Sequence, residues 1–138
     1  MFISLKQRID EPEIQEILGY SVFPDQDHLE RTVQCYKSED NLELYGIESE
    51  DEIAGVIGFR QMDGGNINIE HIAVKPERRG EDYGRGLILE LIAEFKPESI
   101  TAETDEEAVE FYRAIGFGIE SLGEIYPGVE RYRCTYQV

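Results

Sequence analysis

The chain has 138 residues, of which 30 are acidic and 13 basic, for a formal net charge of −17. This length predicts a single domain, residues 1–138, with one hydrophobic core. The acidity argues against a nucleic-acid partner, because binding to a phosphate backbone requires a positively charged surface.

Sequence features of secreted, membrane-bound and zinc-binding proteins are missing. No apolar run has the length of a bilayer span, and the first residues lack a signal-peptide pattern. We therefore expect a cytoplasmic protein without a membrane partner. Cys35 and Cys134 stand far apart and only two histidines are present, so neither a disulfide framework nor a metal site is predicted.

The first predicted elements are a short strand and two helices. The strand covers residues 1–5. Apolar residues at helical spacing predict a first helix at residues 11–20, with Pro12 in its first turn. Asp25 or Asp27 can cap a second helix that ends near Lys37.

Six strands and two helices are predicted in the remainder of the chain. The strands are residues 42–48, 52–62, 67–74, 99–103, 117–122 and 131–137. One helix covers residues 87–95, and the other follows a capping box formed by Thr104 and Glu107 and ends at Gly116.

The central stretch, residues 66–95, joins a strand to a helix through a basic loop with three glycines. The apolar period slips by one residue between Ile69 and Ile72, which predicts a β-bulge. The first N–H groups of a helix lack intrahelical partners, so this junction predicts a phosphate or pyrophosphate site. Four basic residues supply local positive charge: Lys75, Arg78, Arg79 and Arg85. The alternative is an ordinary glycine-containing connection.

Two familiar phosphate-binding motifs do not fit this loop. The GxxxxGK[ST] pattern is missing, and the segment from Gly84 to Leu89 lacks the third glycine of GxGxxG. The loop instead resembles the V-x-P-x-x-R-G-x-G-x-G-x-G/A pyrophosphate loop of the GNAT N-acetyltransferase superfamily. The matching residues are Val74, Pro76, Arg79, Gly80, Gly84 and Gly86.

Two departures from the family pattern carry an aspartate. Asp82 occupies a position where the family usually has glycine; aspartate tolerates the left-handed backbone region better than most residues. Asp105 replaces asparagine in a second motif, N-x-x-A-x-x-F-Y-x-x-x-G-F, which is matched by Ala108, Phe111, Tyr112, Gly116 and Phe117.

The element order is also that of the GNAT fold, so the resemblance covers essentially the whole chain. It implies an α/β (α+β) fold whose central sheet is mixed, mostly antiparallel and of about seven strands. Two N-terminal helices and two further helices complete it.

The resemblance implies that an acetyl group passes from acetyl-CoA, as co-substrate and without a metal, to a primary amine by direct attack in a ternary complex. The acceptor would be a small molecule or a peptide amine, and the protein a monomer or homodimer. The implied cofactor-binding residues are Ile72, Ala73, Val74, Arg79, Gly80, Glu81, Asp82, Tyr83, Gly84, Arg85, Gly86, Asp105, Ala108 and Phe111.

Two residues are the predicted catalytic groups. Tyr112 resembles the family tyrosine that protonates the CoA thiolate, although its spacing also suits a core position. Glu70 is the predicted base, because it is an acid in an otherwise apolar strand; alternatively its side chain faces water. His71 and Glu103 are weaker candidates.

The acceptor is expected between the first two helices and the last hairpin. Candidate wall residues are Tyr20, Phe23, Tyr36, Tyr45 and Tyr126, with Glu124 and Glu130 as possible anchors for an amine. Two other functions remain open. One is a non-catalytic acyl-CoA-binding or sensory module, suggested by Asp82 and the acidity, and the other is a nucleotide-binding α/β protein, disfavoured by antiparallel hairpins around the loop.

Overall fold

The computed structural model of the protein describes residues 1–22 and 26–138, except for the side chains of Gln26 and Tyr126. The strands are β1 (Phe2–Ser4), β2 (Leu42–Ser49), β3 (Glu52–Gln61), β4 (Asn66–Val74), β5 (Ser99–Asp105), β6 (Gly118–Tyr126) and β7 (Val129–Gln137). The helices are α1 (Pro12–Gly19), α2 (Gln26–Ser38), α3 (Tyr83–Phe95) and α4 (Val109–Ile115). Phe23 and Asp25, a predicted wall residue and a predicted cap, lie outside the described residues.

All seven strands form one sheet in the order β1-β2-β3-β4-β5-β7-β6. Neighbouring strands are antiparallel except for β4 and β5, which are parallel. The crossover between this parallel pair contains α3, as a parallel connection requires. The predicted fold class, a mixed and mostly antiparallel sheet with four helices, is confirmed.

Each face of the sheet carries its own apolar cluster. Val56 on β3 belongs to the cluster that includes Ile14 and Leu18 of α1 and Tyr36 of α2. Its neighbour Ile57 belongs to the cluster that includes residues of α3 and α4. Adjacent side chains on a strand point to opposite faces, so α1 and α2 cover one face, while α3 and α4 cover the other.

A β-bulge in β4 falls on Glu70. Gly58 pairs with His71 and Phe59 with Ile69, which leaves Glu70 without a partner on β3. Ile69 and Ile72 both pack in the α3 and α4 cluster, whereas Ala73 lies in the cluster of α1 and α2. The extra residue therefore turns Glu70 and His71 to the same face. The predicted bulge exists, and because it falls on Glu70, the usual alternation does not turn His71 away from that residue.

The parallel pair β4 and β5 separates halfway along its length. Residues 66–69 pair with residues 99–102, and the pairing ends there. The remaining parts of the two strands, residues 70–74 and 103–105, diverge and leave a gap in the sheet. This gap is the opening of the cleft described below.

Helix α3 begins at Tyr83, four residues before the predicted start at Leu87. Asp82 precedes it in the left-handed backbone conformation, with φ of 66°. Gly84, Arg85 and Gly86, predicted as loop residues, therefore belong to the first helical turn. The apolar spacing failed to indicate this turn because its glycines carry no side chain.

Two other predicted boundaries also differ. Thr104 lies in β5 and forms no capping box; Asp105 Oδ1 instead accepts hydrogen bonds from the N–H groups of Glu107 and Ala108 at 3.1 and 3.2 Å. The last hairpin is longer than predicted, since β6 and β7 continue almost to the turn at Pro127 and Gly128.

Candidate active site

A cleft of about 1060 Å³ opens where β4 and β5 diverge. Its walls come from the second halves of these strands, the loop before α3, the first turn of α3, and Ala108, Phe111 and Tyr112 at α4. The end of α1 contributes Tyr20 and Ser21, and β7 contributes Arg131. The cleft therefore connects the N-terminus of α3 with both faces of the divided sheet.

The N-terminus of α3 presents free backbone donors to one end of the cleft. The first hydrogen bond of the helix runs from the N–H of Gly86 to the carbonyl of Asp82, at 3.0 Å. In the described chain, the N–H groups of Tyr83, Gly84 and Arg85 have no hydrogen-bond acceptor, and no side chain caps the helix. Three N–H groups and the positive end of the helix dipole suit a phosphate group.

The loop reaches this geometry through two residues with positive φ. Gly80 has φ of 86° and Asp82 has φ of 66°. Glycine adopts such a conformation without strain, and aspartate does so more readily than most other residues. The family's glycine can thus be replaced here by Asp82 without loss of the turn. The carboxylate of Asp82 is exposed and adds negative charge to the cleft margin.

The basic residues of the loop divide into two pairs. Lys75 contacts Glu13 at 3.0 Å, and Arg78 contacts Glu50 at 3.3 Å. Arg79 and Arg85 form no ion pair with a described residue, and both line the cleft. Arg79 also donates to the carbonyl of Val74 at 3.2 Å and stacks over the ring of Tyr20. Within the loop, the positive charges that are not paired with a described acid are therefore those of Arg79 and Arg85.

Gly84 allows α4 to approach α3. A Cβ atom at Gly84 would lie 2.9 Å from Cε1 of Phe111. That separation is below carbon–carbon contact distance, so glycine is required if Phe111 is to keep its place at the cleft wall. The second motif of the sequence is thus packed against the first.

Tyr112 lies at the floor of the cleft and is 4% exposed. Its ring packs edge-on against Phe111 and Phe117. The hydroxyl forms no hydrogen bond with the described residues. Burial raises the pKa of Tyr112 above its ordinary value, so the phenol keeps its proton at neutral pH.

Glu70 lines the cleft from the bulge and is held by two neighbours. Its carboxylate accepts from Nδ2 of Asn68 and lies 3.5 Å from Nη2 of Arg60. Arg60 also forms a 2.6 Å ion pair with Glu39, so the Glu70 carboxylate shares its cation with a second acid. This arrangement holds the carboxylate at the cleft beside a cation that it shares with Glu39.

His71, the next residue, also lines the cleft. Its Nδ1 lies 2.7 Å from the hydroxyl of Tyr36 on α2. Burial lowers the pKa of His71 to about 4. The imidazole is therefore neutral at physiological pH and is a poor proton acceptor.

The family model described as the acetyltransferase (GNAT) family matches residues 9–117. This chain belongs to the GNAT family. The matched residues include the whole loop before α3, the bulge of β4 and the helix that carries Tyr112.

One relative is an uncharacterized N-acetyltransferase in the lysA 3′ region of Bacillus methanolicus. It is 28% identical over 60 residues, which cover 44% of this GNAT chain and 50% of the relative. The aligned stretch thus spans half the length of that protein.

Solved GNAT structures share the fold over nearly the full chain. A GNAT-family protein from Desulfovibrio desulfuricans superposes with a TM-score of 0.85 at 17% identity, covering 99% of this chain and 98% of the other. The ribosomal-protein-S18-alanine N-acetyltransferase of Escherichia coli gives 0.80 at 17% identity and 100% and 93% coverage. A GNAT acetyltransferase from Elizabethkingia anophelis with acetyl-CoA bound gives 0.73 at 15% identity, with 100% and 97% coverage.

Most of the predicted site residues of this GNAT chain lie around one cleft. Glu70 and Tyr112 both line it, as do twelve of the fourteen predicted cofactor residues. The two exceptions are Glu81 and Gly86; a Cβ at Gly86 would face Ile47 instead. The catalytic and cofactor-binding roles assigned to all of these residues remain predictions.

Fewer of the residues predicted to form the acceptor wall line the cleft. Tyr20 lines the cleft, but Tyr45 packs against Phe2, Phe59 and Phe95, so the prediction for Tyr45 is wrong. Tyr36 is fully buried and approaches the cleft only through His71. The side chain of Tyr126 lies outside the described residues. Glu124 and Glu130 do not line the cleft.

Thr104, Glu107 and Arg131 line the cleft without having been predicted. The family motifs include Asp105 and Ala108, which are the neighbours of Thr104 and Glu107. Arg131 could not be predicted from a motif, because it reaches the cleft only through the pairing of β7 with Asp105 on β5.

No described helix has the length and apolar character needed to cross a bilayer. Within the described residues, no cluster of three potential metal ligands occurs.

Proposed function

We propose that this protein is an N-acetyltransferase that moves an acetyl group from acetyl-CoA to a primary amine, in a small molecule or a peptide. The proposal rests on one observation: the unpaired N–H groups of α3 and the Tyr112 ring line the same cleft, which opens through the gap between β4 and β5. A diphosphate at the helix would direct the rest of the cofactor along this gap. Acetyl-CoA bound to the Elizabethkingia relative supports the choice of cofactor.

The cofactor would be held largely by the backbone. The N–H groups of Tyr83, Gly84 and Arg85 would bind the phosphate oxygens, with Arg79 and Arg85 supplying positive charge. The half of β4 that does not pair with β5, residues 70–74, would bind the amide groups of the pantetheine arm. A main-chain N–H at Ile72 or Ala73 would donate to the thioester oxygen as negative charge develops on it, an effect worth about 3 kcal/mol.

Glu70 would accept the proton of the incoming ammonium, directly or through water. Freeing an amine of pKa about 10.4 at pH 7 costs about 4.6 kcal/mol, so a nearby carboxylate is useful. The amine nitrogen then bonds to the carbonyl carbon and loses its second proton to solvent as the carbon–sulfur bond breaks. The Glu70 carboxyl afterwards returns its own proton to solvent.

Tyr112 would give its proton to the departing sulfur. In water this transfer, from a phenol of pKa about 10 to a thiolate of about 8.5, is uphill by about 2 kcal/mol. Burial at the floor of the cleft disfavours a thiolate as much as a phenolate, which reduces this difference. The phenolate regains a proton from solvent after the product leaves.

The proposal is tested by calorimetry with CoA and by a thiol-release assay with acetyl-CoA and a panel of amines. We expect CoA to bind and at least one amine class to release thiol faster than buffer. Absence of CoA binding would refute the proposal.

A non-catalytic acyl-CoA-binding module is the second candidate. Two features favour it: the carboxylate of Asp82 at the cleft margin, and the ion pairs that Lys75 and Arg78 form with Glu13 and Glu50. Tight CoA binding without turnover across a broad amine panel would select this function. A rise in CoA affinity in Asp82→Asn with no gain in turnover would strengthen it further.

A further inference from the structure

We propose that His71 acts as a neutral hydrogen-bond donor in the cleft, and that Tyr36 is the positioning residue that fixes the proton on Nε2. The Nε2–H would bind a carbonyl or hydroxyl oxygen next to the reacting centre, either the thioester oxygen or an oxygen of the acceptor. This inference rests on the proposed acetyl transfer and assigns a role to a residue beside the predicted base.

Tyr36 is held rigidly at the junction of α2 and the sheet. Its side chain is fully buried, and its hydroxyl reaches Nδ1 of His71 at 2.7 Å. The hydroxyl oxygen lies only 1.6 Å from the position that a Cβ would occupy at Gly58. Glycine at this point of β3 is therefore necessary for the contact.

The direction of this hydrogen bond follows from the partners of the phenol. Tyr36 makes no other hydrogen bond with the described residues, so its buried O–H needs Nδ1 as its acceptor. A neutral imidazole carries one N–H, and with Nδ1 accepting, that proton lies on Nε2.

The surroundings keep both rings uncharged. Burial lowers the pKa of His71, and the like charge of His28 on α2 acts in the same direction. Burial also raises the pKa of Tyr36, with Glu70 on β4 and Cys35 on α2 adding to the increase and Arg60 on β3 opposing it. Neither member of the pair therefore gains or loses a proton near neutral pH.

Nε2 of His71 is open to the cleft. His71 lines the cleft, and its only ring hydrogen bond with a described residue is made by Nδ1. Nε2 thus has no partner among the described residues, and it is also not one of their fully buried unpartnered atoms. The bulge turns the Glu70 carboxylate to the same face of β4. A proton acceptor and an N–H donor thus stand on consecutive residues, an arrangement that suits an amine beside an oxygen. Neutral imidazole is known to serve enzymes as such a donor.

The tautomer can be measured without any substrate. The chain contains two histidines, so long-range ¹H–¹⁵N spectra of the labelled protein show two imidazoles, and His71→Gln identifies which signal belongs to His71. We expect a protonated Nε2 and an unprotonated Nδ1 from pH 5.5 to 8. Tyr36→Phe, which keeps the buried ring, is expected to give a mixture of tautomers. A protonated Nδ1 or a charged ring at pH 7 would overturn the inference.

Kinetics of two variants test the contact with substrate. Glutamine places an amide donor near the position of Nε2, whereas leucine has similar size and no donor. We expect His71→Leu to lower kcat/KM about tenfold and His71→Gln to remain within about threefold of the unmodified protein, as for loss of one hydrogen bond. Equal effects in the two variants would contradict the inference.

The kinetics of the His71 variants also show whether Nε2 binds the thioester oxygen or an oxygen of the acceptor. If the thioester is bound, His71→Leu lowers kcat for every amine. If the acceptor is bound, His71→Leu raises KM only for amines that carry a neighbouring oxygen. Failure of the proposed function is separately visible, because the unmodified protein would then show no turnover with any amine, while the tautomer would still be measurable.

Discussion

Single residues at the cleft show how one side chain serves both packing and chemistry. Tyr112 completes the apolar stripe of α4 with Val109, and it also lines the cleft. Its spacing in the sequence is that of a core residue, and periodicity cannot separate the two roles. Only the family motif indicated that the hydroxyl has a function, and only the folded chain shows that the hydroxyl lacks a partner among the described residues.

Tyr112→Phe is expected to lower kcat by about 10²- to 10⁴-fold, the usual contribution of a general acid. CoA affinity and stability should change little, because the aromatic ring and its contacts with Phe111 and Phe117 remain. Steady-state kinetics and calorimetry provide the two measurements. Tyr45→Phe, which removes a hydroxyl away from the cleft, is the matched control. A kcat within twofold of the unmodified protein would remove Tyr112 from the mechanism.

Glu70 and Tyr112, the predicted catalytic groups, both line the cleft, and so does His71, which the sequence offered only as a weaker candidate. Its orientation depends on which residue of β4 forms the bulge, and a slip in apolar period locates a bulge only to within a few residues. The contact with Tyr36 joins residues 35 positions apart. Nothing in the local pattern indicates such a contact; the spacing of Leu29, Val33 and Tyr36 indicates only that Tyr36 is buried.

At the scale of elements, α3 and α4 depend on each other through Gly84. A glycine in the first turn of a helix lowers helix propensity, so packing must compensate for it. The compensation is the ring of Phe111, which fills the space above Gly84. The two sequence motifs of the family therefore form one structural unit.

Gly84→Ala is expected to weaken CoA binding about tenfold or more, since Cβ at 2.9 Å would displace Phe111 from the cleft wall. Gly86→Ala is the comparison, because a Cβ there would lie 3.5 Å from Ile47, an ordinary contact. Both variants gain helix propensity, so a lower affinity in Gly84→Ala alone isolates the clash. Calorimetry with CoA and thermal unfolding measure the two effects. Equal affinities would show that Phe111 adjusts without consequence.

The sequence predicted which helices and strands are present and in what order, but it did not predict where several of them begin or end. The predicted helices and strands are all present among the described residues, because apolar period and turn residues mark each one. The start of α3 differs from the prediction because the glycines of its first turn give no apolar signal. The cap of α4 differs from the prediction because Thr104 is part of β5. Such tertiary demands override local capping patterns.

At the scale of the whole molecule, the Glu13 carboxylate links the helical layer to the sheet. Glu13 on α1 accepts from the N–H of Ile53 and pairs with Lys75, each at 3.0 Å. It thus ties the helical layer to β3 and to the residue that follows β4. The backbone N–H of Ile53, and then Lys75, lower the pKa of Glu13.

A lowered pKa in the folded protein means that Glu13 stabilises the fold above its unfolded pKa of about 4.3, and that this contribution disappears as pH falls through the folded pKa. Glu13→Gln is expected to reduce the free energy of unfolding by about 1 kcal/mol at pH 7, a value discounted for its partial exposure. The difference should shrink as pH falls from 5 to 3. Urea unfolding at several pH values measures it.

Glu90→Gln is the control for Glu13→Gln, because it removes the same charge from an exposed position of α3. A difference between Glu13→Gln and the unmodified protein that stays constant down to pH 3 would contradict the ionic role of Glu13. The sequence alone could not reveal this pair, since its members are 62 positions apart.

The 1.6 Å gap between the Tyr36 hydroxyl and a Cβ at Gly58 also constrains how this chain can diverge. Any side chain introduced at position 58 must displace that oxygen and also the ring carbon Cζ, which would lie 2.6 Å from the new Cβ, so a phenylalanine at position 36 would clash as well. Positions 36 and 58 should therefore covary among relatives. A relative with alanine at position 58 is expected to have a residue other than tyrosine or phenylalanine at position 36.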